Sequence, residues 1–356
     1  MPVLFLTGFP GFIATRLLQE FLKASLFEQV HLLVEPRMEK RATALLATLP
    51  QTAAFHLHVG DLRSETLGLS PRTREALQAE VTHVCHLAAL YNLRVAWEPA
   101  YAVNVLGTQH ILQFARKIRA LERLVYFSTA YVSGWRTGIV FEDELVGGYG
   151  FKNHYEHTKF LAEQLVRQAM DDLPITIVRP AIVVGDSQTG ETAKFDGPYF
   201  VMQFFRRVPG TFPLPYIGRS EAEVNIVPVD YIARATAALT TLDVAVSRTY
   251  HLVDPHPLKA KEIYRIVHEK IRGTRPRGRL PLSWVQASLR FVPLARWLGV
   301  PLEATPYFEH PVHFDAYHAS RDLKPLGIEV PPLPTYVDRM VDYFLKHADD
   351  PEKQVF

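Results

Sequence analysis

The sequence predicts an α/β fold built on a doubly wound parallel sheet. Short apolar runs alternate with helix-length stretches through the first half of the chain. Those runs are continuously apolar, as strands covered on both faces are. A glycine turn, TGFPGFIA (7–14), follows the first run directly. The 356 residues, 48% hydrophobic and 21% charged, supply enough apolar material for a sizeable core. A formal net charge of +2 argues against a nucleic-acid partner. One cysteine, Cys85, precludes an internal disulfide and fits a reducing, cytoplasmic compartment. The start MPVLFLTG lacks the features of a secretory signal, and no run of 18 apolar residues predicts a membrane span.

Taken in order, VLFLT (3–7) is the first strand, with a helix from Phe12 to about Leu26. VHLLV (30–34) is the second, with a helix to about Leu49, and AFHLHVG (54–60) the third. THVCHLAA (82–89) is the fourth, with a helix near 103–119, and RLVYFST (123–129) the fifth. A helix holding Tyr155 precedes ITIVRPAIVVG (175–185). Residues 186–221 are loop-rich. VNIVPVDYIARA (224–235) reads as a strand and helix returning to the sheet, and TYHLVD (249–254) as its last strand. From Pro255 the chain is helical and punctuated by proline. Residues 1–185 and 222–255 are therefore expected to form a dinucleotide-binding domain. Residues 186–221 and 256–356 are expected to form a smaller, mostly helical substrate-binding cap.

The glycine turn gives the sheet a ligand. Gly8 permits a tight turn, and Gly11 lets backbone N–H groups reach a pyrophosphate at the positive end of a helix. Ala14 takes the third small position, where helix packs on strand. This is the dinucleotide turn of a Rossmann fold. Thr7, Gly8, Pro10, Gly11, Phe12 and Ile13 are its expected cofactor contacts, with Leu62, Ala88, Tyr155 and Lys159 at later strand ends and on the Tyr155 helix. Glu35, closing the second strand, can accept from ribose hydroxyls, whereas Arg37, Lys40 and Arg41 can hold a 2′-phosphate. Asp61, after the third strand, is placed to receive the adenine. These residues leave NAD(H) and NADP(H) both open.

Tyr155 and Lys159, at i and i+4, share one helix face. A cation beside a phenol lowers its pKa and suits it to proton transfer near neutral pH. Ser128 and Thr129 stand at the carboxyl end of the fifth strand, where open parallel sheets bind ligands. Thr129 is expected to hold a substrate oxygen, Tyr155 to move the proton, Lys159 to bind the nicotinamide ribose, and Asn104 to support Lys159 through a water. The ordered set points to hydride transfer at a carbonyl carbon. Cys85, mid-strand, reads as a small apolar residue rather than a nucleophile. His83 and His86 flank it on a strand, and His310, His313 and His318 match no ligand motif, so no metal is expected.

These residues, with GDLRSETLGLS (60–70), THVCHLAALYN (82–92), NVLGT (104–108), FSTAYVSG (127–134) and VNIVPVDYIARA (224–235), resemble the extended short-chain dehydrogenase/reductase superfamily. The match is to its fatty acyl-CoA reductase, male-sterility and thioester-reductase branch. The resemblance implies reduction of an acyl thioester, or a related apolar carbonyl, to aldehyde or alcohol. It implies catalytic roles for Thr129, Tyr155 and Lys159, with Ser128 as a partner. It also implies NADP(H), although Glu35 stands where the branch usually has arginine, which keeps NAD(H) open. Without further carrier or adenylation domains in the sequence, the thioester is expected as a CoA ester or on a separate carrier protein. Alcohol dehydrogenation, ketone reduction or epimerisation on the same machinery, and dinucleotide sensing without catalysis, are the alternative readings. Arg272, Arg275, Arg277 and Arg279 could meet phosphates, an acidic carrier protein or an anionic membrane, and the amphipathic LPLSWVQASLRFVPLARWLGV (280–300) could lie on such a surface or lid a pocket.

Overall fold

The structure, a computed structural model, describes residues 2–355 apart from Thr211 and Pro213. Seven parallel strands form the main sheet: β1 (Val3–Thr7), β2 (Gln29–Val34), β3 (Ala54–Val59), β4 (His83–His86), β5 (Arg123–Phe127), β6 (Ile175–Pro180) and β7 (Arg248–Leu252). Their spatial order is β7-β6-β5-β4-β1-β2-β3. The order reverses between β1 and β4, which is where doubly wound sheets bind dinucleotides. Every residue of β1, β4, β5 and β6 is buried, which accounts for their unbroken apolarity. The edge strand β3 is only half covered, and its His56 stacks on His31 of β2 at 4.6 Å.

Helices cover both faces. Helix α1 (Phe12–Lys23) buries Leu17, Leu18, Phe21 and Leu22, spaced for one helical face, in a core shared with Ile232, Ala235 and Leu239. At about 1.5–3 kcal/mol for each buried large side chain, that stripe outweighs the weak propensity of any single residue. Helix α2 (Glu39–Leu46) buries Ala42 in that same core, and α3 (Pro71–Glu80) buries Leu77 in the core on the other face of the sheet. Ser70 caps α3 by accepting from the Thr73 N–H at 3.1 Å, with Pro71 at the first position. The helix after β4 starts earlier than expected, as α4 (Trp97–Tyr101), passes through a π-helical turn (Ala102–Leu106) and continues as α5 (Gly107–Ala115). Helix α6 (His154–Ala169) carries Tyr155 and Lys159, and Asn153 caps it by accepting from the Glu156 N–H at 2.9 Å.

Two expectations are corrected. The segment 224–235 does not rejoin the main sheet: Ile226–Pro228 pairs with Ile182–Val184 in a separate two-stranded ladder. The chain leaves the sheet at Ala181, so 175–185 is two strands, not one. The helix that follows 228, α8 (Val229–Thr241), does pack on α1. The second correction concerns Arg272. Its guanidinium donates to the carbonyls of Phe205, Val208, Pro209, Gly210 and Phe212. It staples α9 (Ala260–Arg272) to the end of α7 (Tyr199–Arg207) and has little left for a phosphate.

A separate apolar core unites Phe195, Met202, Phe205, Ile226, Tyr264, Tyr336 and Phe344, drawn from 184–226 and 263–348. Residues 312–323 do not join it. Phe314, Ala319 and Leu323 pack into the core of the main sheet.

Candidate active site

The turn after β1 is shaped by Gly8, whose φ of +93° lies where side chains are strained. A Cβ there would meet the Ala88 backbone nitrogen at 2.8 Å, so β1 and the loop after β4 close on each other only around glycine. Gly11 donates to the Gly8 carbonyl at 2.7 Å and starts α1 with no side-chain cap. The first-turn N–H groups of α1 are therefore left for a ligand, and they face a cleft of about 1010 Å³. Glycines pressed to backbone and an uncapped helix start fit the pyrophosphate of a nicotinamide dinucleotide.

Most predicted site residues line this one cleft: Gly8, Pro10, Gly11, Phe12 and Ile13 at the turn, and Glu35, Arg37, Asp61 and Leu62 beyond β2 and β3. Ala88, Ser128, Thr129, Tyr155 and Lys159 line its other side. Thr7 and Asn104 stand behind the wall. Thr7 Oγ1 accepts from the Ala88 N–H at 3.2 Å and lies 2.8 Å from His86 Nδ1. Thr108 Oγ1 donates to the Asn104 carbonyl at 2.7 Å, so across 3.1 Å it accepts from His86 Nε2–H. Nδ1 is then the acceptor for Thr7, a tautomer assigned from its partners. Burial, then the nearby Lys159, push the His86 pKa down to about 3, which keeps the ring neutral. Among the described residues no direct hydrogen bond joins Asn104 to Lys159. The Asn104 amide accepts from Leu90 N–H at 2.7 Å and donates to Thr158 Oγ1 at 3.0 Å, pinning the β4 loop against α6.

Lys159 is buried under the cleft floor. Its Nζ donates to the Tyr126 hydroxyl at 2.9 Å and to the Phe127 carbonyl, and it lies 4.3 Å from the Tyr126 ring centroid. Burial pushes its pKa down to about 7, against an opposing pull from Glu163. Tyr155 is half-buried, packs edge-on against Tyr91 at 4.9 Å, and its hydroxyl has no hydrogen-bond partner among the described residues. Its pKa is raised, first by burial and then by the Glu156 carboxylate. The expected acidification of this phenol by its lysine neighbour is therefore corrected: desolvation wins, and the hydroxyl is a protonated donor at neutral pH.

Ser128 turns into the core rather than the cleft with its hydroxyl, donating to Glu163 Oε2 at 2.5 Å. Glu163 pairs with Arg179 at 2.6 Å, both side chains fully buried, and with Arg167 at 2.9 Å. Burial alone would raise the carboxyl pKa, but Arg179 and its other donors hold it at about 2. Thr129 Oγ1 caps the short helix Ala130–Ser133 by accepting from the Tyr131 N–H at 3.3 Å, and stays on the cleft wall.

Sequence reading missed a second cluster beside Tyr155. Tyr307 donates to Glu156 Oε1 at 2.5 Å, Lys152 N–H donates to Glu156 Oε2 at 3.0 Å, and Lys152 Nζ lies 3.7 Å from that carboxylate. Lys152 also sits 5.1 Å from the Trp135 ring and 5.3 Å from the Tyr307 ring. The i, i+4 spacing of Lys152 and Glu156 was visible, but Tyr307 lies 151 residues away from Glu156. Further along, the cleft is walled by Ile182, Phe200, Val201, Val300, Ala304 and Phe308. Among the described residues no group of three or more His, Cys, Asp or Glu is placed to hold a metal ion.

The family model described as male sterility protein, an NAD-binding domain, matches residues 6–236. A Drosophila melanogaster fatty acyl-CoA reductase is 27% identical over 275 residues, covering 66% of this chain and 53% of its own length. The large subunit of L-2-aminoadipate reductase from Eremothecium gossypii is 29% identical over 66% of this chain and 18% of that protein. The chain thus spans about half or less of these relatives. Among solved structures, the terminal R domain of the myxalamid PKS-NRPS pathway superposes with a TM-score of 0.84 at 25% identity, covering 99% of this chain and 92% of that one. The chain belongs to the male sterility protein family, the fatty acyl-CoA reductase-like branch of the extended short-chain dehydrogenase/reductases.

Proposed function

We propose that this protein reduces an acyl thioester, carried on CoA or on a separate carrier protein, to the aldehyde. The observation that carries the reading is the continuity of the cleft. It runs from the glycine turn, past Thr129, Tyr155 and Lys159, into a wall of Ile182, Phe200, Val201 and Val300. A reduced nicotinamide, when bound, supplies a hydride equivalent to the thioester carbonyl carbon. Thr129 and Tyr155 hold the carbonyl oxygen. The Tyr155 hydroxyl, kept protonated by burial and by Glu156, gives that oxygen its proton as charge develops. The resulting hemithioacetal collapses, its C–S bond breaking to leave aldehyde and thiol. Lys159 acts by fixing the floor through Tyr126 and Phe127. Cys85 takes no part, since it is fully buried and its thiol is pushed up to about 12.

Residues 1–185 with 222–255 serve as the dinucleotide unit in this reading, and 186–221 with 256–311 and 324–356 as the substrate cap. NADPH is the proposed cofactor. Arg37, Arg41 and Arg63 line the adenosine end of the cleft, and the Glu35 carboxylate is engaged by Arg37 at 2.7 Å. Guanidinium groups suit a 2′-phosphate. The test is cofactor oxidation with short and long acyl-CoAs, matching aldehydes and simple ketones, with free thiol quantified. Thiol released one-for-one with aldehyde supports the reading. Ketone or alcohol turnover with no thiol release from any acyl-CoA overturns it.

A further inference from the structure

We propose that the segment 270–302 docks this protein onto an anionic lipid surface. Between Lys270 and Leu302 there are seven cationic residues and no aspartate or glutamate, in a chain whose net charge is only +2. Lys270 and Arg275 are paired with carboxylates outside the segment, and Arg272 is the carbonyl staple described above. Arg277, Arg279, Arg290 and Arg296 are exposed, and none of the four has a carboxylate partner among the described residues.

The same segment displays large apolar side chains to solvent. It folds as two short helices, α10 (Leu282–Leu289) and α11 (Val292–Leu298), which pack on each other. Trp284 is 67% exposed, Phe291 64% and Trp297 52%. Arg207 of α7 ties the end of α11 to the cap core by donating to the carbonyls of Arg296 and Trp297. A soluble surface scatters such residues singly; here two tryptophans and a phenylalanine stand in one segment with unpaired guanidinium groups. Tryptophan with arginine is the composition that settles at the headgroup level, aromatic body in the acyl boundary and charge on the phosphates. The absence of any acidic residue in the segment selects an anionic surface over a neutral one. The face also adjoins the cleft, because Val300 and Ala304, just after α11, line it. A bilayer on this face would meet the apolar end of the cleft, where a lipid-soluble acyl group or aldehyde enters or leaves.

The docking surface goes beyond the proposed reaction and does not depend on it. The test is flotation of the full chain with phosphatidylcholine vesicles and with vesicles carrying about one-third phosphatidylserine. Two variants accompany it: Trp284→Ser with Phe291→Ser and Trp297→Ser, and Arg277→Ser with Arg279→Ser, Arg290→Ser and Arg296→Ser. The wild type is expected to float with anionic vesicles only, roughly tenfold less at high salt. Each variant is expected to lose that binding while keeping its turnover of a short, water-soluble acyl-CoA. No flotation with anionic vesicles at low salt overturns the proposal, as does flotation of both variants to the same extent as the wild type. Saturable binding to an acidic carrier protein with no vesicle binding, or self-association abolished by the same substitutions, assigns the face to another occupant and also overturns it. Turnover is read separately, so loss of docking with turnover intact is distinct from failure of the proposed reaction.

Discussion

The Tyr307 hydroxyl donates to Glu156 Oε1 at 2.5 Å, joining the segment Leu302–Phe308 to the residue that follows Tyr155 on α6. Glu156 is buried, and burial raises its pKa against the pull of Lys152 and Tyr307. The bond matters because a buried carboxylate short of a donor is costly. Tyr307→Phe is expected to lower stability by about 1–3 kcal/mol in urea denaturation. It should also raise the KM for the acyl substrate while leaving cofactor affinity unchanged, since the cofactor end of the cleft lies on other loops.

Ser128 and Thr129 are neighbours with different tasks. Ser128→Ala removes a donor to buried Glu163 and is expected to cost about 1–3 kcal/mol of stability, with turnover of the folded enzyme within a few-fold of wild type. Thr129→Val keeps the shape and removes the hydroxyl on the cleft wall. Its turnover should fall by about 10²-fold. Steady-state rates beside denaturation curves for both variants separate the two roles, and a reversed pattern would show the assignment to be wrong.

Glu163 and Arg179 form a fully buried pair, so removing one charge strands the other. Glu163→Gln is expected to cost about 3–5 kcal/mol. The folded-state pKa of Glu163, about 2, lies below the ordinary 4.5. Its contribution is therefore present above about pH 4.5 and is lost as pH falls toward 2. Acid titration of wild type against the variant should show the difference in stability shrinking across that window.

Lys159 gives a slope of the same sign at higher pH, where the cost of burying a charged amine is relieved. Its pKa falls from 10.5 to about 7 on folding, so between those values the unfolded chain binds more protons. Stability should rise with pH across that window. Lys159→Met removes the slope. Denaturation midpoints from pH 7 to 10 should therefore show wild type gaining on the variant as pH rises; parallel curves would contradict the burial of an ionisable amine.

The sheet and the turn were legible because local pattern decides them. Buried strands such as VLFLT read as apolar runs, and Gly8 and Gly11 stand where only a close backbone approach needs them. Tyr155, Lys159 and Thr129 were legible because strand ends and helix spacing place them on one cleft. The protonation of Tyr155 was not, because i, i+4 proximity says nothing of how deeply the phenol is buried, and burial outweighs the lysine. Nor was the fate of Ser128, whose hydroxyl meets a carboxylate 35 residues away. The strand 226–228 carries the same apolar signature as a sheet strand, and only its partner, 182–184, distinguishes it. The staple made by Arg272 was not legible either, because sequence cannot show five carbonyls converging on one guanidinium.

The most direct measurement is the turnover of Tyr155→Phe on an acyl-CoA with NADPH, read beside cofactor binding by the same protein. Proton donation by Tyr155 predicts a loss of about 10²–10⁴-fold in turnover, with NADPH affinity and folding unchanged. Turnover within a few-fold of wild type would contradict it.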